Sequence, residues 1–136
     1  MFRKLLYIFM TLLLITSCDN EQPTDTVLSE SILGKWTASS KSSKYVGEYH
    51  RNGKFEGHAI FLNPDGSSEK STYSDTWYIK GAHLYMVPAK DYGTPEMNQT
   101  AIDKVESITS EKMVLISPSG KRLVRYRVLY VNKCEQ

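Results

Sequence analysis

From residue 34 onward, apolar and polar side chains alternate in short runs, and each run ends in residues that turn a chain. The runs fall at 34–40, 45–51, 55–62, 69–79, 83–87, 100–108, 113–117 and 121–131, the fourth with an expected interruption. They are rich in β-branched and aromatic residues, which suit a pleated, half-buried surface. Period-two alternation that recurs every roughly 8–12 residues predicts an all-β sandwich or barrel. Between the runs stand Asn52-Gly53, Asn63-Pro64-Asp65-Gly66, Lys80-Gly81 and Pro118-Ser119-Gly120, each with a residue that tolerates positive φ. A two-residue loop at Asn52-Gly53 would set Arg51 against Lys54, an unfavourable like-charge pair, so a longer loop is the alternative. The last run is expected to form the longest strand, with Val124, Tyr126, Val128 and Tyr130 on one face and Arg125, Arg127 and Leu129 on the other. Residues 88–98, with Gly93 and Pro95, are the longest irregular stretch and are expected at a barrel mouth.

The first 31 residues follow another pattern. Arg3 and Lys4 precede an uncharged apolar run at 5–15, as in the n- and h-regions of a signal peptide. The run is too short for a permanent span, which needs roughly 20 apolar residues. Ile15-Thr16-Ser17-Cys18 resembles a bacterial lipobox, with a branched apolar residue three before the cysteine and small residues between. That resemblance implies removal of residues 1–17, acyl chains such as palmitate on Cys18, and a lipid anchor rather than a span. Residues 18–31 are polar and acidic, with Asp19, Glu21, Asp25 and Glu30, and read as a flexible tether that ends in a short helical turn at 27–33. The β domain is expected over 32–133.

Asp25-Thr26-Val27 resembles the O-glycosylation sequon of the Bacteroidota. Asp19-Asn20-Glu21 resembles an inner-membrane retention signal in one bacterial group and a surface-export signal in another. The expected location is therefore the bacterial cell envelope, with the outer membrane favoured over the inner.

Within the β region, Phe61-Leu62-Asn63-Pro64-Asp65-Gly66, followed by Thr76-Trp77-Tyr78-Ile79-Lys80-Gly81-Ala82-His83-Leu84-Tyr85-Met86, resembles small bacterial lipocalin-like lipoprotein domains. Gly34-Lys35-Trp36 resembles the Gly-x-Trp of the first lipocalin strand. The resemblance spans 34–131 and implies a single lipocalin-like antiparallel β-barrel, or a strongly curved sheet, of about eight strands. It also implies that Gly34, Trp36 and Trp77 are structural, and that Arg125 or Arg127 from the last strand lies over the Trp36 ring.

Charge and chemistry narrow the function. The 17 basic residues exceed the 15 acidic ones only through Arg3 and Lys4, so the mature chain is balanced and carries no excess for nucleic acid. With Cys18 lipidated, Cys134 stands alone, which excludes an internal disulfide and cysteine-paired metal sites. In the tight-turn register His50 and His58 face opposite ways, so no metal is expected of them or of His83. Asp65 and Asp75 read as turn residues. No Gly-x-Ser-x-Gly elbow or phosphate loop is present, so neither a cofactor nor an enzyme is expected.

Tyrosine is dense, and Tyr85 and Tyr126 are the candidate inward-facing ligand contacts. About a hundred residues in eight short strands favour a filled interior over an open one. The function expected is a membrane-anchored, non-enzymatic binding or protein-interaction module. The alternatives are a carrier of a small apolar ligand, or an inhibitor or assembly factor for another envelope protein.

Overall fold

The computed structural model describes residues 22–129, so Cys18, Tyr130 and Cys134 lie outside the described residues. One helix, α1 (Asp25–Ile32), precedes strands β1 (Gly34–Ser39), β2 (Ser43–Tyr49), β3 (Lys54–Leu62), β4 (Ser68–Lys80), β5 (His83–Pro88), β6 (Ala101–Ile108), β7 (Lys112–Ile116) and β8 (Arg122–Arg127). Each strand pairs antiparallel with the next, and β8 returns to β1. The all-β barrel is therefore closed. Closure removes the free sheet edges that an open curved sheet would present.

The longest strand is β4 rather than the last, and it runs through all 13 residues without the expected interruption. Asp75 and Thr76 pair with both β3 and β5, the residues below them pair with β5, and the upper part of the strand pairs with β3 alone. The loop 89–100 covers that upper edge. The Tyr92 hydroxyl accepts from the Ser74 N–H at 2.7 Å, and the Ala89 N–H donates to the Ser74 carbonyl at 3.0 Å.

The β2–β3 connection takes the longer form. His50 N–H donates to the Lys54 carbonyl at 2.9 Å, Gly53 adopts φ 82°, and Tyr49 pairs with Phe55. This register differs by one residue from the tight-turn one, so every side-chain direction reverses relative to the partner strand. Arg51 no longer opposes Lys54. His50 and His58 share the outer face, contrary to the expectation, and His50 Nε2 lies 3.6 Å from Glu56.

The lower half of the barrel is solid. Trp36, Tyr49, Phe55, Trp77, Ile79, Leu84, Val105, Met113 and Leu115 pack into one core with Leu28 and Ile32 of α1. Both indoles are buried, Trp36 at 1% exposure and Trp77 at 8%. Each donates to a backbone carbonyl, Trp36 to Ile32 at 2.7 Å and Trp77 to His50 at 2.9 Å. Phe55 lies over Gly47 and Gly57, which face each other on β2 and β3. A Cβ at Gly47 would stand 2.4 Å from Phe55 Cζ. Glycine inside a strand here marks the close approach of a ring.

Helix α1 plugs this end. Thr24 caps it by accepting the Val27 N–H at 3.3 Å, and the i, i+4 spacing of Leu28 and Ile32 puts both on the face that meets the barrel. Residues 25–31 therefore form a docked helix rather than the expected tether, because these two side chains bury. Asp25 reaches from the helix to the β4–β5 turn and accepts the N–H groups of Gly81 at 2.8 Å and Ala82 at 2.9 Å. Those two bonds hold its carboxyl below the usual range. They also fix Ala82 at φ 56°, a left-handed conformation that costs an alanine roughly 1–2 kcal/mol.

Arg127 joins the helix to the barrel wall. Its guanidinium carbon is 4.1 Å from the centre of the Trp36 ring. Its Nη1 and Nη2 donate to the carbonyls of Leu33 and Ser31 at 2.6 Å each, and its Nε to Ser110 at 2.7 Å. Gly34, at φ 110°, leaves room for it, since a Cβ there would stand 3.0 Å from Nη1. The expected arginine over Trp36 is thus Arg127.

Candidate functional site

Above Phe55 the interior opens into a cup of about 710 Å³. Its position follows from the topology. The turns at 50–53, 81–82 and 109–111 lie with α1 at the closed end, so the connections at 40–42, 63–67, 89–100 and 117–121 ring the other. Tyr45, Phe55 and Met86 line the inside with Tyr73 and Asp75 of β4 and Leu123 and Arg125 of β8. Phe61 and Lys121 stand toward the rim. Short side chains at Ala38, Ala59 and Ala101 leave the space unfilled. The β1–β8 ladder contains only Trp36 with Arg127 and Thr37 with Tyr126. Above it the ends of both strands line the cup. The expected filled interior is therefore confined to the lower half.

Neither candidate ligand contact faces the cup. Tyr126 is 54% exposed, and Tyr85 stacks on the outward Tyr78 with ring centres 4.6 Å apart. The reason is parity. Trp36 points inward and pairs with Arg127, so Tyr126, one residue earlier, must point outward. Likewise Trp77 points inward, and its neighbour Tyr78 pairs with Tyr85. An inward Tyr126 and an arginine over Trp36 are mutually exclusive on one strand. Val124 lies on the outer face as well, opposite Val114.

The inward polar residues are ones the sequence reading left out of the site. Asp75 lies within β4 and not in a turn. The Tyr92 hydroxyl, with a single proton, is 2.7 Å from Asp75 Oδ1 and 2.9 Å from the Ser74 carbonyl. Burial raises the Asp75 carboxyl above the usual range, against the lowering effects of Tyr92 and the Lys90 charge. Tyr92 itself is pushed up to about 12, by burial first and then by Asp75. Arg125 lies 5.0 Å from the centre of the Tyr45 ring. Burial also raises the Tyr45 phenol, so it remains a neutral donor. Period-two counting from Trp77 to Asp75 and from Arg127 to Arg125 was the available signal. Asp65, by contrast, is the turn residue expected, accepting the Ser67 N–H at 2.8 Å. Among the described residues no group of three His, Cys, Asp or Glu side chains is placed to hold a metal.

A lipocalin-like protein from Bacteroides uniformis has a similar structure, covering 72% of this chain and 99% of its own at 21% identity and a TM-score of 0.50. The fold is lipocalin-like. An uncharacterized protein from Bacteroides eggerthii is similar over 71% of this chain and 99% of its own, at 17% identity and a TM-score of 0.47. No protein-family model and no curated protein matches the chain. The likeness concerns the fold, and the contents of this lipocalin-like cup must be argued from its own side chains.

Proposed function

We propose that this chain is a membrane-anchored binding module of a bacterial envelope, without catalytic activity, and that its cup receives a small, largely apolar molecule. The cup itself carries the reading. At about 710 Å³, with Tyr45, Phe55, Phe61, Tyr73, Met86 and Leu123 in its walls and Asp75, Arg125, Lys121 and the serines of the 39–43 rim as its polar groups, it has the size of a small-molecule site and an apolar wall with polar groups to orient a ligand. The anchor rests on Ile15-Thr16-Ser17-Cys18 and the apolar run before it. A second reading, docking of another envelope protein in an inhibitory or assembly role, draws on the outward Tyr78–Tyr85 stack, where Tyr78 is 46% exposed. The cup favours the first.

A naphthalene-based fluorescent probe titrated into the full chain in zwitterionic nanodiscs tests it, with Ala38→Trp as the blocked cup. Saturable binding that Ala38→Trp abolishes without moving the unfolding midpoint is expected. Binding indifferent to Ala38→Trp would remove the cup from the function. For the anchor, intact-mass analysis of membrane-extracted protein should find acyl chains on an N-terminal Cys18, and Cys18→Ser should accumulate as unprocessed precursor. A different N-terminus would end the lipoprotein reading.

A further inference from the structure

We infer that the cup takes a small organic anion, its charged oxygens on the Arg125 guanidinium and its apolar body among Tyr45, Tyr73 and Phe61. This rests on the binding reading above and names the ligand's chemical class.

Two arginines, Arg125 and Arg127, share one face of β8. A guanidinium carries five N–H donors in a planar fork. Arg127 spends its donors on three carbonyls and lies against an indole. Arg125, two residues away, makes one hydrogen bond, from Nη1 to the Val124 carbonyl at 3.3 Å. Among the described residues it forms no ion pair. Its remaining donors border the cup, and that fork fits a carboxylate, sulfonate or phosphate oxygen pair.

The surroundings agree. Lys121 adds positive charge near the rim, while Arg122 is engaged by Glu106 at 3.1 Å. On the opposite wall Asp75 already accepts from Tyr92. Asp103 shares the inner face through its pairing with Leu84, close enough to Arg125 to feel its charge but not in contact. The hydroxyls of Tyr45 and Tyr73 make no hydrogen bond among the described residues, yet no buried polar side-chain atom lacks a partner. Both residues line the cup, so their unpaired hydroxyls are donors within the same space as Arg125. A cationic ligand would suit the tyrosine faces but would meet Arg125 and Lys121.

Matched acid and amide probes test the charge alone: 2-naphthoate against 2-naphthamide, and octanoate against octanamide. They are titrated calorimetrically into the full chain in zwitterionic nanodiscs, with empty nanodiscs subtracted. At least one acid should bind about tenfold or more tighter than its amide, as a charge-assisted hydrogen bond predicts. Arg125→Gln should erase that preference by weakening the acid more than the amide, and Arg125→Lys should retain part of it. The unfolding midpoint of each variant reports that the barrel is intact, and should Arg125→Gln not fold, the Arg125→Lys ratio decides alone. Equal affinity for acid and amide overturns the anion assignment and leaves the cup a binding site. A preference for the acid that survives both Arg125 variants but disappears in Lys121→Gln overturns the placement on Arg125. No heat from any of the four probes at millimolar concentration overturns both this inference and the binding reading.

Discussion

Truncating Arg127 to alanine should separate the helix plug from the barrel wall. The side chain supplies three charged donors to the carbonyls of Ser31, Leu33 and Ser110, at 2.6–2.7 Å, and a cation over the Trp36 ring at 4.1 Å. Hydrogen bonds to a charged group contribute about 1.5–3 kcal/mol each, and a cation–π contact about 0.5–2 kcal/mol. These contributions do not add in full, because the donors share one side chain and water can reach the partly exposed carbonyls once it is gone. A loss of about 2–4 kcal/mol remains, which for a domain of about 100 residues lowers Tm by roughly 10–25 °C. Urea unfolding of the full chain, followed by tryptophan fluorescence, measures it. Arg127→Lys should lose roughly half as much, since an ammonium keeps the charge but not the fork. A double-mutant cycle with Trp36→Phe isolates the ring contact. If Arg127→Ala unfolds within about 0.5 kcal/mol of wild type, the range of a neutral surface change, Arg127 does not hold the plug.

Three further outcomes follow from the packing and the titrating groups. Gly47→Ala should cost about 1–3 kcal/mol, because the new Cβ meets the Phe55 ring at 2.4 Å; partial recovery in Gly47→Ala/Phe55→Leu, seen as a raised urea midpoint, checks the cause. Asp75 is raised by burial, so its stabilising effect is present below the unfolded carboxylate range and is lost as pH rises through its folded value. Asp75→Asn should therefore gain stability relative to wild type between mildly acidic and neutral pH and lose that advantage in acid, and a constant difference across pH would refute this. Asp25 runs the other way. Its carboxyl is lowered by the Gly81 and Ala82 N–H groups, so Asp25→Ala should be less stable than wild type above about pH 4, and melts at falling pH should converge once the wild-type carboxylate protonates.

The all-β class and the approximate strand positions were legible because alternation and turn residues are local signals, whereas the choice between a closed barrel and a curved sheet was settled by the pairing of β8 with β1. An arginine over Trp36 was implied by the lipocalin resemblance, which left Arg125 and Arg127 open, and the structure puts Arg127 there. What failed was the choice of face. Val124 and Tyr126 look like an inward stripe by hydropathy, yet the inward positions on β8 are Leu123, Arg125 and Arg127. Arginine stems are apolar enough to line a barrel, and one guanidinium is needed at the indole, so hydropathy alone reads the strand backwards. Helix α1 was under-read for a similar reason. Two buried residues, Leu28 and Ile32, are few to notice within an acidic segment, and their burial is a tertiary event. The cup depends on Ala38, Ala59 and Ala101 facing one space, which strand pairing decides and single-strand periodicity does not show.

The plug at the foot of the barrel also sets a direction. Helix α1 starts at Asp25 beside the sealed end, and Cys18 lies only six residues before its capping Thr24. Six residues reach at most roughly 20 Å even when fully extended. With the lipid on Cys18 that we propose, the domain stands on its sealed foot close to the headgroups, and its mouth looks into the aqueous compartment. Cargo would then exchange with water or with a partner arriving from solution, and a molecule leaving the underlying bilayer would have to travel round the outside of the barrel to enter.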